Sequence, residues 1–331
     1  MALAPLLYCA PVLALALACE TYVTRGSRRA LASGLGCLAL DLIVAGWGLA
    51  LFVAVLGALH DRVALVRPSG WAKWPIAIVL HDLAYYAFHR ASHRVTALWA
   101  AHVVHHQSER YDFTVSLRQG AVATWISYAF HLPLALAVDA PTFVVVHALY
   151  QVYQFFVHTR AVRSLGPLEW LLATPRHHRV HHSSERAHRD RNYGGFFIVF
   201  DRVLGTFVRE DREPSYGVPG GFSIASPLAA ASYMYLRLVA ASRGLSWRER
   251  RALWLGPPER TAARVSSAGH PRRVIESAAL GRTWLPLALG LAGACATALG
   301  WAPLGLALAT GVASAALVEW AIAPLDGHRG R

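Results

Sequence analysis

Histidines gathered in three tight clusters constrain this chain more than any other feature. His89 and His93 form an HxxxH pair, His102, His105 and His106 form an HxxHH triplet, and His178, His181 and His182 repeat that triplet. On a helix, residues i and i+4 lie about 40° apart, and i and i+3 about 60° apart on the other side. The pair therefore shares one helical face, and each triplet spreads its three rings as a fan. Neutral imidazole is a good ligand for iron, copper and zinc. Eight rings from the boxes exceed what one closed zinc site or one catalytic zinc needs. They suffice for two metals with coordination positions left open. A pair of redox metals suits activation of O₂, so two iron ions are the expected occupants.

Other polar residues fall into place around the boxes. His158, alone at the end of an apolar segment, is a ninth candidate ligand. Asp82 precedes His89 by seven residues and sits nearly on the same helical face, where it is expected to orient that imidazole. His177 points about 100° away from His178 on any helix, which sets it off from the fan. His177 and His81 stay open as ligands. The remaining histidines, among them His60, His131, His147 and His188, read as ordinary core or surface residues. Cys9, Cys19, Cys37 and Cys295 lie scattered in apolar runs and read as small packing residues.

The rest of the sequence is too apolar for an ordinary soluble domain, with 55% hydrophobic and only 15% charged residues. Apolar segments run over 3–19, 31–59, 74–88, 121–138, 141–157, 284–303 and 304–323. Asp139 and Pro141 mark the tip of a helical hairpin between the fourth and fifth of these. The net charge of +13 is carried by arginines that flank the apolar runs. That placement argues for membrane topology and anionic headgroups rather than nucleic acid. No basic residue precedes the first segment, which reads as a retained anchor with its N-terminus outside. Both dense histidine clusters flank the 121–157 hairpin, and the arginine-rich downstream flank puts them in the cytosol. The expected architecture is all-α: a multi-pass transmembrane helical bundle with a cytosolic histidine-rich helical cap holding a dinuclear metal site. Its expected parts are N-terminal transmembrane helices over 1–73, a histidine-box core over 74–215, an interfacial segment and cytosolic linker over 216–283, and a C-terminal transmembrane hairpin over 284–331.

The residues around the boxes are similar to those of the fatty acid hydroxylase and sterol desaturase superfamily. The resemblance is carried by Asp82-x-x-Tyr85-Tyr86-x-x-His89-Arg90-x-x-His93, by Trp99-x-x-His102-x-x-His105-His106, and by Thr174-Pro175-x-x-His178-Arg179-Val180-His181-His182. Asn192-Tyr193-Gly194 and Asp201-Arg202-x-Leu204-Gly205-Thr206 extend it. Within the superfamily, Tyr153-Gln154-Phe155-Phe156-Val157-His158-Thr159 and Leu165-Gly166-Pro167-Leu168-Glu169 resemble the alkylglycerol monooxygenase branch. That resemblance implies a membrane-bound di-iron monooxygenase acting on a lipid C–H bond, such as the ether carbon of a glyceryl ether lipid. It also implies O₂ as co-substrate and electrons from tetrahydrobiopterin or another donor, such as a redox protein. The branch commonly carries Glu directly after the second histidine of the first box, where this chain has Arg94. A sterol or lipid desaturase, or a fatty acid hydroxylase, would use the same iron site. A metal transporter or a zinc-stabilised scaffold is the reading of a different class.

Overall fold

A computed structural model describes residues 4–218 and 226–267. The expected C-terminal hairpin over 284–331 and the end of the expected linker lie outside the described residues, as does Cys295. What is described is helical, with two isolated bridges, Leu172 with Phe197 and Ser183 with Tyr216, as its β-structure. In chain order the helices are α1 (Ala4–Val23), α2 (Arg28–Val63), α3 (Lys73–Arg94), α4 (Thr96–His106), α5 (Phe113–Ser116), α6 (Ala121–His131), α7 (Ala140–Phe156), α8 (Pro175–His181), α9 (Val199–Val203), α10 (Pro227–Ala241), α11 (Trp247–Leu255) and α12 (Pro258–Ser267). Among the described residues no helix is long and apolar enough to cross a membrane.

The helices start and stop where the local chemistry requires. Ser27 caps α2 by accepting the Ala30 amide, and Asp139 caps α7 by accepting the Thr142 amide at 2.8 Å. The 121–138 segment does not run on as one helix. It breaks after His131 into a 3-10 turn, Leu132–Leu136, with a proline in its first turn. Proline lacks the amide that an α-helix would need there. The expected hairpin therefore exists as α6, a tight turn and α7, with Asp139 at its tip.

Among the described residues, the two largest apolar clusters frame the site. In the first, Leu49, Phe52 and Leu56 of α2 pack with Ala77 and Ala84 of α3, Tyr128 of α6, and Phe143 and Val146 of α7. In the second, Ala100 and Val103 of α4 meet Met234, Leu238 and Ala241 of α10, Leu253 of α11 and Val265 of α12. Much of the stretch read from the sequence as a polar linker is thus folded. Ser246 and Glu249 close a capping box at the start of α11; Leu253 and Val265 are buried in the core and Trp254 packs against it. A sparse apolar stripe among arginines hides this from a composition-based reading. The consequence for the site is that α4 is wedged between the two cores, with its histidines facing the gap between α3, α7 and α8.

Candidate metal centre

Nine histidines meet in that gap as two groups. His89, His93, His102, His106 and His181 form one, and His105, His158, His178 and His182 form the other. In each group the candidate ligand atoms lie within 4.8 Å of one another, and every residue is buried. These are the nine residues singled out in the sequence, and the structure brings all of them together.

Helical periodicity decides which ring goes where. α3 gives His89 and His93, one turn apart, to the first group. α4 gives His102 and His106, also i and i+4, to the same group, while His105 turns to the other side. The third box mirrors this arrangement: His178 and His182 go to the second group and His181 to the first. Each HxxHH triplet is therefore divided between two groups rather than spread as a fan around one. His158, at the end of α7, completes the second group.

The contacts within the groups show what the rings are suited to hold. In the second group the Nε2 atoms of His105 and His158, and of His158 and His178, are 3.0 Å apart, and those of His178 and His182 are 3.2 Å apart. In the first, His102 Nε2 lies 3.2 Å from both His89 Nε2 and His106 Nε2. An imidazole nitrogen has either one proton or one in-plane lone pair. A nitrogen with two such neighbours cannot satisfy both, so these contacts cannot all be hydrogen bonds. Moreover, His89 Nδ1–H donates to the Tyr193 carbonyl at 2.9 Å and His158 Nδ1–H to the Gln154 carbonyl at 2.6 Å, which leaves both Nε2 atoms as bare lone pairs. His181 Nδ1–H donates likewise to the Arg191 carbonyl at 2.9 Å. The buried Nε2 atoms of His93 and His181 have no hydrogen-bond partner. Converging lone pairs repel unless a cation sits among them. Edges of 3.0–3.2 Å are what nitrogen ligands at about 2.1 Å form when they subtend roughly a right angle at a metal. The two groups are suited to a di-metal site.

Burial keeps the rings ready. It pushes His89 and His158 down to about 4 and holds His93, His102, His105, His106, His178, His181 and His182 well below the ordinary histidine value, with like charge on neighbouring imidazoles adding to the effect. All nine are neutral near pH 7, so no proton competes with a metal for them.

Asp82 does not touch His89. Its carboxylate accepts the Phe196 and Phe197 amides, both at 2.8 Å, and the Tyr150 hydroxyl at 2.7 Å. Helical phase put it on the right face, but a seven-residue separation is two turns, about 10 Å along the axis. His89 is oriented instead by the loop that Asp82 holds. Asp201 holds the same loop from the other side, accepting the Tyr193 amide at 2.8 Å, the Gly194 amide at 2.6 Å and the Thr206 hydroxyl at 2.6 Å. The loop has no space for side chains at its centre: a Cβ on Gly195 would sit 1.3 Å from the Tyr150 hydroxyl oxygen. Sequence reasoning assigned no role to Asp201, Tyr193 or Arg191, because two of the three act through backbone carbonyls.

Other positions resolve as well. His177 closes a capping box with Thr174 at the start of α8, its Nδ1 accepting the Thr174 amide at 3.3 Å, and it joins neither group. His81 lies in the apolar core beside His131 and His147, its Nε2 3.1 Å from His147 Nδ1. Arg179, inside the third box, is buried and forks onto Glu210 with contacts of 2.6 and 2.8 Å, fixing α8 to the chain beyond the box. Arg94 points outward and donates to Asp190 at 2.9 Å, while the other oxygen of Asp190 faces His93 Nδ1 at 3.8 Å.

Residues 74–206 match the family model described as fatty acid hydroxylase. The chain is 40% identical over 159 residues to the alkylglycerol monooxygenase of Xenopus tropicalis, covering 48% of this chain and 35% of that protein. Over 161 residues it is 40% identical to the alkylglycerol monooxygenase of Homo sapiens, covering 48% of this chain and 36% of that one. The ornithine lipid hydroxylase OlsE of Rhizobium tropici is 30% identical over 151 residues, 43% of this chain and 46% of that one. The chain thus matches about a third of the length of the alkylglycerol monooxygenases. No solved structure matches it. Residues 74–206, which carry all nine converging histidines, are thus the part of this chain that is similar to the fatty acid hydroxylase family.

Proposed function

We propose that this protein is a membrane-bound, O₂-dependent lipid hydroxylase whose two histidine groups each hold an iron ion. The single observation that carries the reading is the division of nine buried, neutral imidazoles into two adjoining groups with converging lone pairs. Two irons held there would supply activation of O₂, so that one oxygen atom enters a C–H bond and the other leaves as water, with two electrons and two protons from a donor. The chain's own residues do the rest. The Tyr193, Arg191 and Gln154 carbonyls fix which nitrogen of each ring faces inward. The apolar core of α2, α3, α6 and α7 keeps water from the bond to be oxidised.

The finer reading is an alkylglycerol monooxygenase, in which the ether-bearing carbon of a glyceryl ether lipid is hydroxylated, with tetrahydrobiopterin or another donor supplying electrons. It is supported by the 40% identity to proteins of that name across the histidine boxes. Hydroxylation of a different lipid is the second reading, favoured by the match to the ornithine lipid hydroxylase. We place the apolar segments in the membrane and the histidine boxes on its cytosolic side, from the charge pattern of the sequence.

The test pairs metal analysis with lipid profiling. The purified chain should contain iron, consume O₂, and deplete one lipid class when expressed in cells that make it. His105→Ala should abolish turnover and lower bound iron. Full iron and full turnover in that variant would defeat the ligand assignment. A glyceryl ether as the depleted lipid selects the first reading, and an ornithine lipid the second.

A further inference from the structure

Beside the third histidine box, two loop tips carry an exposed apolar patch. Leu168, Trp170 and Leu171 project from the 3-10 turn Gly166–Trp170 and the residue that follows it, and Val203 and Leu204 project from the end of α9. Trp170 is 72% exposed and Val203 76%, values that water alone does not favour for such side chains. Each tip turns on a glycine in the left-handed region, Gly166 at φ +59° and Gly205 at φ +73°, with open space on the side where a Cβ would stand. The tips are neighbours. The Arg202 guanidinium lies 4.7 Å from the centre of the Trp170 ring and donates to the Glu169 carbonyl, and the Ile198 amide donates to the Leu171 carbonyl at 3.0 Å.

The exposed charges on the two tips themselves have one sign. Within residues 163–172 and 198–209 the exposed charged residues are Arg163 and Arg209, with Arg202 half-buried between them. The two carboxylates in the same stretches are turned inward. Glu169 accepts the Leu165 amide and pairs with Arg176, and Asp201 accepts the Tyr193 and Gly194 amides. An apolar centre, an indole at its rim and exposed arginines on both tips complement an anionic bilayer surface, where tryptophan and arginine are favoured. The patch is also bolted to the site: the Leu172–Phe197 bridge joins its two halves, and the Arg191 and Tyr193 carbonyls that orient His181 and His89 lie just upstream.

We infer that this face of the histidine cap is seated in the headgroup region of an anionic lipid bilayer. The cap is then held against the leaflet by its own loops in addition to any spanning helix. The purpose of the contact rests on the lipid-hydroxylase reading, whereas its geometry rests on the patch alone.

The test uses the full chain in nanodiscs of phosphatidylcholine and phosphatidylglycerol with brominated acyl chains, which quench tryptophan at bilayer depth. The bromolipid-quenched part of the emission should shrink in Trp170→Phe. A quenched part unchanged by Trp170→Phe overturns the inference, whether Trp170 proves to be in water or under protein such as the apolar residues 284–323. In a second arm, Val203→Asp combined with Leu204→Asp should raise KM several-fold for lipid presented in vesicles and leave kcat and KM for detergent-dispersed lipid at the wild-type level. Equal KM in both presentations also overturns it. A wild-type chain that holds no iron would sink the functional reading, and the quenching result would still decide this one.

Discussion

The two histidine groups use the same ring and differ in what holds it. In the five-histidine group, His89 and His181 are oriented by carbonyls of one loop, those of Tyr193 and Arg191, and His93 faces Asp190 of the same loop. That loop contains two non-glycine residues in the left-handed region, Asp190 at φ +57° and Asn192 at φ +52°, and it is kept in place by Asp82 and Asp201. In the four-histidine group, His158 is oriented by the Gln154 carbonyl of its own helix, and Tyr111 packs against His158 and His182 with its hydroxyl donating to the Val157 carbonyl. One half of the centre is held by a braced loop and the other by helix and ring packing. Ring number also differs, five in the one group and four in the other.

The largest expected effect follows from that last difference. His178→Ala removes the ring at the middle of the His158–His178–His182 series and leaves three nitrogens, whereas His106→Ala leaves four in its group. The first variant should lose turnover and one of the two metals, and the second should keep both metals with weaker binding. Mass spectrometry of the metal content of both purified variants checks this. Equal losses in the two would end the distinction between the five-ring and the four-ring group.

A smaller effect should separate the two kinds of support. Asp201→Ala strands the buried Tyr193 and Gly194 amides, at about 1–3 kcal/mol each, and frees the carbonyl that orients His89. Loss of such an orienting partner typically lowers metal affinity by about 10–100-fold. The loss should fall on the five-histidine group alone, so chelator titration should become biphasic, with one metal leaving early. Tyr111→Phe keeps the ring against His158 and should leave the titration as it is in the wild type. If Asp201→Ala loosened both metals together, the loop would not be a separate brace.

How much of this was legible in the sequence depends on distance along the chain. The division of ring directions follows from i, i+3 and i+4 spacing, so the boxes announced the centre, although not that each triplet serves two groups. His158 could be named as a candidate but not placed, because it sits 20 residues from His178 and its ring meets that one only in the folded chain. Asp82 had the right helical phase and the wrong reach. Asp201 stood in a motif without a role, since its partners are main-chain amides eight and seven residues away in a loop whose path no periodicity reveals. His81 shows the converse. It precedes His89 by eight residues, two turns or so down α3, and packing between α6 and α7 puts it against His131 and His147 in the apolar core instead of at the centre. The polar stretch beyond Ala241 looked like linker because its helices put only a few apolar residues, Leu253, Trp254 and Val265, on the core among many arginines.

The smallest effect tests the boundary of the centre itself. His177 adjoins His178 in sequence, is buried, and would pass for a ligand on composition alone. Its Nδ1 instead accepts the Thr174 amide, its ring packs edge-on against Phe207, and it closes the capping box of α8 from the third helical position. His177→Ala should therefore cost about 0.5–1.5 kcal/mol, the usual net worth of one hydrogen bond. Thermal unfolding should register that loss while metal content stays at the wild-type level. Because α8 and its C-cap His182 carry three of the nine rings, divided between the groups, frayed capping would act on both groups and would not reproduce the biphasic chelation expected of Asp201→Ala. A missing metal in His177→Ala would instead make the ring a ligand, and His177–His178 would join His105–His106 and His181–His182 as a third pair of sequence neighbours that serves the centre.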